Sequence, residues 1–274
     1  MSKILSFAKP LIEKFPLLAA TYRIFRDESD YQQEPIMTPW NFKLAGSSLM
    51  ASGAFEPAET TLIRELLTDV DVLINVGANI GYYCCHALSM GKEVIAFEPM
   101  PNNIRYLCRN IDLNGWACEI FPVALSGKVE IMKMYGGGTG ASLVKGWAGS
   151  SEDLFTYVPC TTMDLLLNKR MTGKKALVIV DIEGAELWMI QGCSKLLRND
   201  PKPVWFIEIG ATEHQPKGVS VNPRFADTFQ LMFDAGYTAV TADKAQNNIV
   251  MEDVIATQNG KKTILNTTHN FIFR

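Results

Sequence analysis

The 274-residue sequence predicts a doubly wound α/β fold with a mostly parallel sheet and an antiparallel edge strand at its C-terminal end. Three observations carry this. The stretches VDVLINVG, EVIAFEP, ALVIVDIEG and PVWFIEI each carry a largely unbroken apolar run, as strands buried on both faces do. Segments with helical spacing of apolar residues separate them, the alternation that places helices on both faces of a parallel sheet. The chain then closes on a short apolar stretch, NFIFR, behind a polar, hairpin-like segment.

Each element has its own signal. Residues 1–55 read as an N-terminal helical arm followed by a loop with Pro35, Pro39, Gly46 and Gly53. In the arm, apolar residues alternate with Lys3, Lys9, Lys14, Arg23 and Arg26, a pattern able to lie against a membrane surface though too interrupted to span one. The regular domain is expected over 56–274. Leu62, Ile63, Leu66 and Leu67 mark a helix before the first strand, VDVLINVG. A helix over about 80–90 leads to EVIAFEP, and Pro101 opens the next helix, with Ile104, Leu107, Cys108 and Ile111 on one face. CEIFPVAL reads as the third strand. An insert at about 128–160 follows, a β-ribbon around a loop with six glycines among residues 136–149, and loops of that length are uncommon unless functional. ALVIVDIEG, a helix from about Ala185, PVWFIEI and a helix with Phe225, Phe229, Met232 and Phe233 complete the pattern.

Composition narrows the function. Twenty-six basic and 29 acidic residues leave a net charge of −3, which speaks against a dedicated nucleic-acid binder. Cys84, Cys85, Cys108, Cys118, Cys160 and Cys193 form no CxxC pair, so free thiols in a reducing cytoplasm are expected rather than disulfides or structural zinc. His86 beside Cys84 and Cys85 is a poor metal site, because consecutive helix residues point in different directions.

The first strand ends in Asn75-Val76-Gly77-Ala78-Asn79-Ile80-Gly81, and the second in Glu98, 21 residues after Gly77. Glycines past a strand permit a tight turn and close backbone approach to a ligand. A terminal acid on the next strand is placed to accept from ribose hydroxyls. A dinucleotide fingerprint from Gly77 would need glycines where Asn79 and Tyr82 stand, and no P-loop sequence occurs. A nucleoside cofactor without phosphates fits better, namely S-adenosylmethionine.

VLINVGANIGYY, AFEP, ALVIVDIEGAELWMIQGC and WFIEI resemble the motifs of the FkbM family of class I methyltransferases, over roughly residues 56–274. The resemblance implies a Rossmann-like, seven-stranded sheet and S-adenosylmethionine-dependent O-methylation of a hydroxyl on a sugar, glycolipid or natural product. It implies that Asn75, Gly77, Asn79 and Gly81 line the cofactor's methionine and ribose, that Glu98 holds the ribose, and that Val123 and Ala124 pack on adenine. Two positions depart from the family pattern: Asn75 stands for a usual Asp, and Ile179 for a frequent Lys. They favour the alternative of a catalytically degenerate, ligand-binding relative.

Strand ends in such sheets face the ligand cleft, which brings Asp181 and Glu208 to one rim as the leading catalytic pair. Two close carboxylates with raised pKa can take the acceptor's proton, and a divalent metal between them would serve as well. His214 is a further candidate base. The insert, with Tyr135, Ser142 and Trp147, is the expected acceptor-binding loop, glycine permitting closure and an aromatic face suiting a sugar ring. A small-molecule or glycan acceptor is expected, in the cytoplasm or at a membrane periphery.

Overall fold

The computed structural model describes residue 31 and residues 33–167 and 169–274. The basic positions of the arm, and with them the expected membrane contact, lie outside the described residues.

The described chain opens with a small antiparallel ribbon, β1 (Ile36–Met37) and β2 (Lys43–Leu44), followed by α1 (Ser48–Ala51). Asn110 fastens this segment: its Oδ1 accepts from the Ala45 amide at 2.7 Å, and its Nδ2 donates to the carbonyls of Ala45 and Ile80. Phe42, Leu44 and Ala51 are sealed from solvent. α2 (Pro57–Thr68) starts at a proline, which is preorganised for a first helical turn, and buries Ile63 and Leu67.

The core of the fold is the run β3 (Val72–Val76), α3 (Tyr82–Ser89), β4 (Glu93–Phe97), α4 (Pro101–Leu113) and β5 (Glu119–Phe121). On α4 the buried stripe is completed by Asn103 and Asn110, while Cys108 is exposed. CEIFPVAL does not form one strand. Pro122 lacks the amide a sheet ladder needs, and the chain bends there, the Val123 amide returning to the Phe121 carbonyl at 2.9 Å. The following β6 (Ala124–Leu125), β7 (Glu130–Tyr135) and β8 (Phe155–Thr161) build a separate three-stranded sheet in the order β6-β8-β7.

α5 (Met163–Leu167), β9 (Ala176–Val180), α6 (Glu186–Gln191), β10 (Val204–Glu208), α7 (Phe225–Asp234), β11 (Ala239–Thr241), β12 (Asn248–Ile249), α8 (Met251–Gln258) and β13 (Asn270–Phe273) complete the order. The segment expected to be a polar hairpin contains α8, with Glu252 and Asp253 in its first turn and Val254 and Thr257 buried.

The main sheet runs β12-β11-β13-β10-β9-β3-β4-β5, with β10, β9, β3, β4 and β5 mutually parallel. Val72, Ile74 and Val76 face one apolar cluster, shared with α5–α8, and Leu73 faces the other, shared with α2–α4. This is the doubly wound α/β arrangement. Two details differ from expectation: eight strands take part rather than seven, and β13 is antiparallel but not at the edge. It lies between β10 and β11. Phe271, Ile272 and Phe273 are all fully buried, so both faces of β13 are apolar, and an interior position also pairs its backbone on both sides.

Candidate active site

A pocket opens at the C-terminal ends of β3, β4 and β9, where doubly wound sheets bind their ligands. Gly77 turns the chain at φ +80°, and a Cβ there would stand 1.9 Å from the Asp181 carbonyl oxygen. Only glycine permits that approach. Glu98, 4% exposed, accepts from the Asn79 amide on Oε2 and from the Met100 amide on Oε1, both at 2.8 Å. Asn103 Nδ2 donates to the same Oε1 at 3.2 Å. Burial raises the Glu98 pKa, and these three donors oppose the rise. Val123, Ala124, Leu125, Met134 and Leu143 supply an apolar wall.

S-adenosylmethionine fits these residues. The buried Oδ1 of Asn79 has no partner among the described residues, and it belongs to the pocket lining. With the cofactor bound it would offer an acceptor to an ammonium or hydroxyl, as Glu98 would to the ribose and the apolar wall to the adenine. Two of the expected contacts fall elsewhere. Asn75 is buried below the turn with its amide donated to Cys84 Sγ at 3.4 Å, because alternation along β3 sends it to the opposite face from Val76. Gly81 is the N-cap of α3, where a Cβ would meet Leu107 Cδ1 at 2.5 Å; it lets α3 and α4 pack closely.

A second cleft adjoins the first. Glu56, Trp147, Glu183, Glu186, Glu208, Glu213, His214 and His269 line it. Asp181 lines the cofactor pocket and is exposed to solvent at its mouth, and Glu208, half-buried, lines the acceptor side. Both carboxyls are pushed up, first by burial and then by neighbouring carboxylates. Glu183 weighs most on Asp181, and Asp181 most on Glu208. Glu186 is pushed up to about 7 by burial, against the Gly184 amide it accepts at 2.8 Å; it stands in the first turn of α6, where the helix dipole favours an acid. His214 stands exposed at the rim, its ring centroid 6.2 Å from that of Trp147. Among the described residues no group of three or more His, Cys, Asp or Glu side chains is arranged to hold a metal ion, so a metal on Asp181 and Glu208 has no ligand set there.

Of the three insert side chains expected to meet the acceptor, Trp147 lines the second cleft and Ser142 and Tyr135 do not. Ser142 is fully buried and donates to the Glu183 carbonyl at 2.5 Å. Trp147, 3% exposed, donates through Nε1 to Glu183 Oε2 at 2.5 Å. Tyr135 packs edge-on against Phe155 and pairs by backbone with Ser142, away from both clefts. Instead Gly138, Thr139, Ala141 and Leu143 of the insert wall the cofactor pocket. Asn103 and Glu56 belong to the site and carry no sequence signal. Asn103 bridges Glu98 to the Gly138 carbonyl, a contact between residues 35 apart in sequence.

A glycine turn and ribose acid at the switch point of a doubly wound sheet, opening onto a carboxylate cleft, define a class I S-adenosylmethionine-dependent methyltransferase. Residues 75–239 match the family described as the methyltransferase FkbM domain, and the chain belongs to that family. No curated protein matches it. Among solved structures it is similar to the tRNA (uracil-54, C5)-methyltransferase of Pyrococcus abyssi, solved with S-adenosyl-L-homocysteine, at 15% identity and TM-score 0.39 over 64% of this chain and 35% of that one. It is also similar to a SAM-dependent methyltransferase from Agrobacterium tumefaciens, at 13% identity and TM-score 0.40 over 74% and 57%. A third is the precorrin-6y C5,15-methyltransferase of Geobacter metallireducens GS-15, at 9% identity and TM-score 0.40 over 84% and 91%. The chain thus spans about a third of the tRNA enzyme's length.

Proposed function

We propose that the protein O-methylates a hydroxyl of a sugar, glycolipid or natural-product acceptor. The observation that carries this is the adjoining of a nucleoside pocket and a carboxylate cleft, with Asp181 on one side of the boundary and Glu208 on the other. S-adenosylmethionine, when bound, supplies an electrophilic methyl group. The protein's tasks are then to align the acceptor oxygen and to receive its proton. A sugar hydroxyl loses its proton only as its oxygen is alkylated, so the base must act during transfer, and a base is most effective when its pKa lies near the working pH. Two carboxyls that raise each other titrate in separate steps, so one can be ionised and able to accept while the other keeps its proton.

The cleft's charge supports a neutral acceptor over a phosphodiester. Glu56, Glu183, Glu208 and Glu213 would oppose a polyanion. Neither departure from the family pattern reaches the pocket: Asn75 turns to Cys84, and Ile179 is buried in the cluster on the α2–α4 face of the sheet.

The test is methyl transfer from labelled S-adenosylmethionine to methyl glycosides, extracted glycolipid and tRNA in parallel. Label is expected in alkali-stable ethers of the glycoside or glycolipid. Label confined to RNA or to the protein would refute the reading. Asp181→Asn should lower transfer about a hundredfold while S-adenosylhomocysteine binding stays within a few-fold.

A further inference from the structure

Glu183 is the single residue common to the linings of the two clefts. A methyl group passed from one cleft to the other must cross where they meet, because in-line displacement aligns donor, methyl and acceptor. The cofactor's charged end therefore lies beside Glu183, whatever the acceptor is.

The chain holds Glu183 there at a cost. Its φ is +57° and that of Gly184 is +93°, two successive left-handed residues, a conformation that strains a non-glycine residue. The insert fixes both ends of the residue: Ser142 Oγ donates to its carbonyl and Trp147 Nε1 to its carboxylate. The indole seats flat against Gly184, where a Cβ would stand 2.5 Å from Trp147 Cζ3. Arg224 Nε donates to the Gly184 carbonyl at 3.3 Å from the other side. A strained backbone held by three side chains from elsewhere in the sequence is the mark of a group whose position matters.

We infer that Glu183 is the counter-charge for the reactive, cationic end of the cofactor, and that Trp147 and Ser142 are its positioning residues. A carboxylate at that boundary attracts the sulfonium of the methyl donor and has no charge to attract in the neutral thioether left after transfer. The site would thereby hold donor more tightly than product and favour product release. The insert's role follows: through Ser142 and Trp147 it sets Glu183. This rests on the cofactor and acceptor assignment of the two clefts.

Calorimetric titration tests it without any acceptor. Three ligands are used: S-adenosylmethionine, S-adenosylhomocysteine, and sinefungin, which carries an ammonium near the position of the sulfonium. Glu183→Gln should weaken the two cationic ligands about tenfold, the scale expected for one nearby charge in a partly wet site, and leave the thioether within twofold. Trp147→Phe, which keeps the ring and removes the donor, should act in the same direction to a smaller extent. The double variant should be no weaker than Glu183→Gln alone, since coupled residues are non-additive. If Trp147→Phe does not fold, Ser142→Ala takes its place. Equal weakening of all three ligands, no weakening of any, or additive losses would overturn the inference. Failure to methylate any glycoside would refute the hydroxyl reading and leave this discrimination intact.

Discussion

At the scale of single residues, Glu98 shows how a binding group and a structural group can be the same atom set. Its two oxygens already serve three donors, from Asn79, Met100 and Asn103. A carboxylate has about four acceptor sites, so capacity remains for a ribose hydroxyl, but none of the three protein bonds is dispensable. Glu98→Gln removes one acceptor and sets an amide against N–H donors, leaving a buried donor unpaired at about 1–3 kcal/mol. We expect S-adenosylhomocysteine binding to weaken by about tenfold or more, with a lower melting temperature in the same protein. Wild-type affinity in this variant would reduce Glu98 to a backbone cap. The turn and its acid are readable in the sequence because they are contiguous motifs on two adjacent strands. Asn103, Glu56 and the Trp147–Glu183 pair are not, because each is created by chain segments meeting from far apart, and an asparagine in a helix reads as a surface residue until its neighbour is known. Asn75 and Gly81 mislead for a related reason: a motif gives spacing, while strand alternation and helix packing decide which way each member faces.

Among the elements, β13 departs most from what its sequence suggests. NFIFR is short and last, which favours an edge, yet period-two alternation is missing: Phe271, Ile272 and Phe273 are apolar in succession, which leaves neither face suited to water. Only the pairing of β10 with β13 and of β13 with β11 reveals its place. The six-residue ladder between β7 and β8 was legible as a ribbon, whereas the bend at Pro122, which moves β6 into that second sheet, was hidden inside an unbroken apolar run. Phe271 is fully buried, with Phe229 edge-on at a centroid distance of 5.0 Å. Phe271→Ala should cost roughly 3–5 kcal/mol, the range for truncating a buried aromatic, read as a lower urea midpoint at an unchanged slope. A loss under 1 kcal/mol, in the range of surface substitutions, would place β13 outside the cooperative core.

For the whole molecule, the gathered carboxyls make stability a function of pH. Asp181, Glu208, Glu186 and Glu56 all have folded pKa values raised above their unfolded ones. Between the unfolded carboxylate range and these raised values the native state binds more protons than the unfolded chain, so stability falls as pH rises. His86 acts oppositely: burial lowers it to about 3, so its contribution is complete above the unfolded histidine value near 6.5 and is lost on acidification. Above about pH 6.5 the carboxyls act first, and from about pH 8.5 the thiols of Cys84, Cys85, Cys118, Cys160 and Cys193, also raised by burial, add to the same trend. The ligand-free protein should show a melting temperature that declines from pH 6.5 to 9, and Asp181→Asn or Glu208→Gln should flatten the decline. A curve that climbs with pH over this interval would contradict the raised values.

The interior seat of β13 also orders events in time. Strands β10 and β11 are made well before residues 270–273, and between them stands a gap the width of one strand. Until that last segment has left the ribosome, β10 offers an unpaired backbone edge and Phe229 an open apolar face, both invitations to wrong partners. The half of the sheet around β3 can assemble as it is synthesised. The half around β10 must wait, which makes the nascent chain, rather than the finished enzyme, the form most in need of a chaperone's protection.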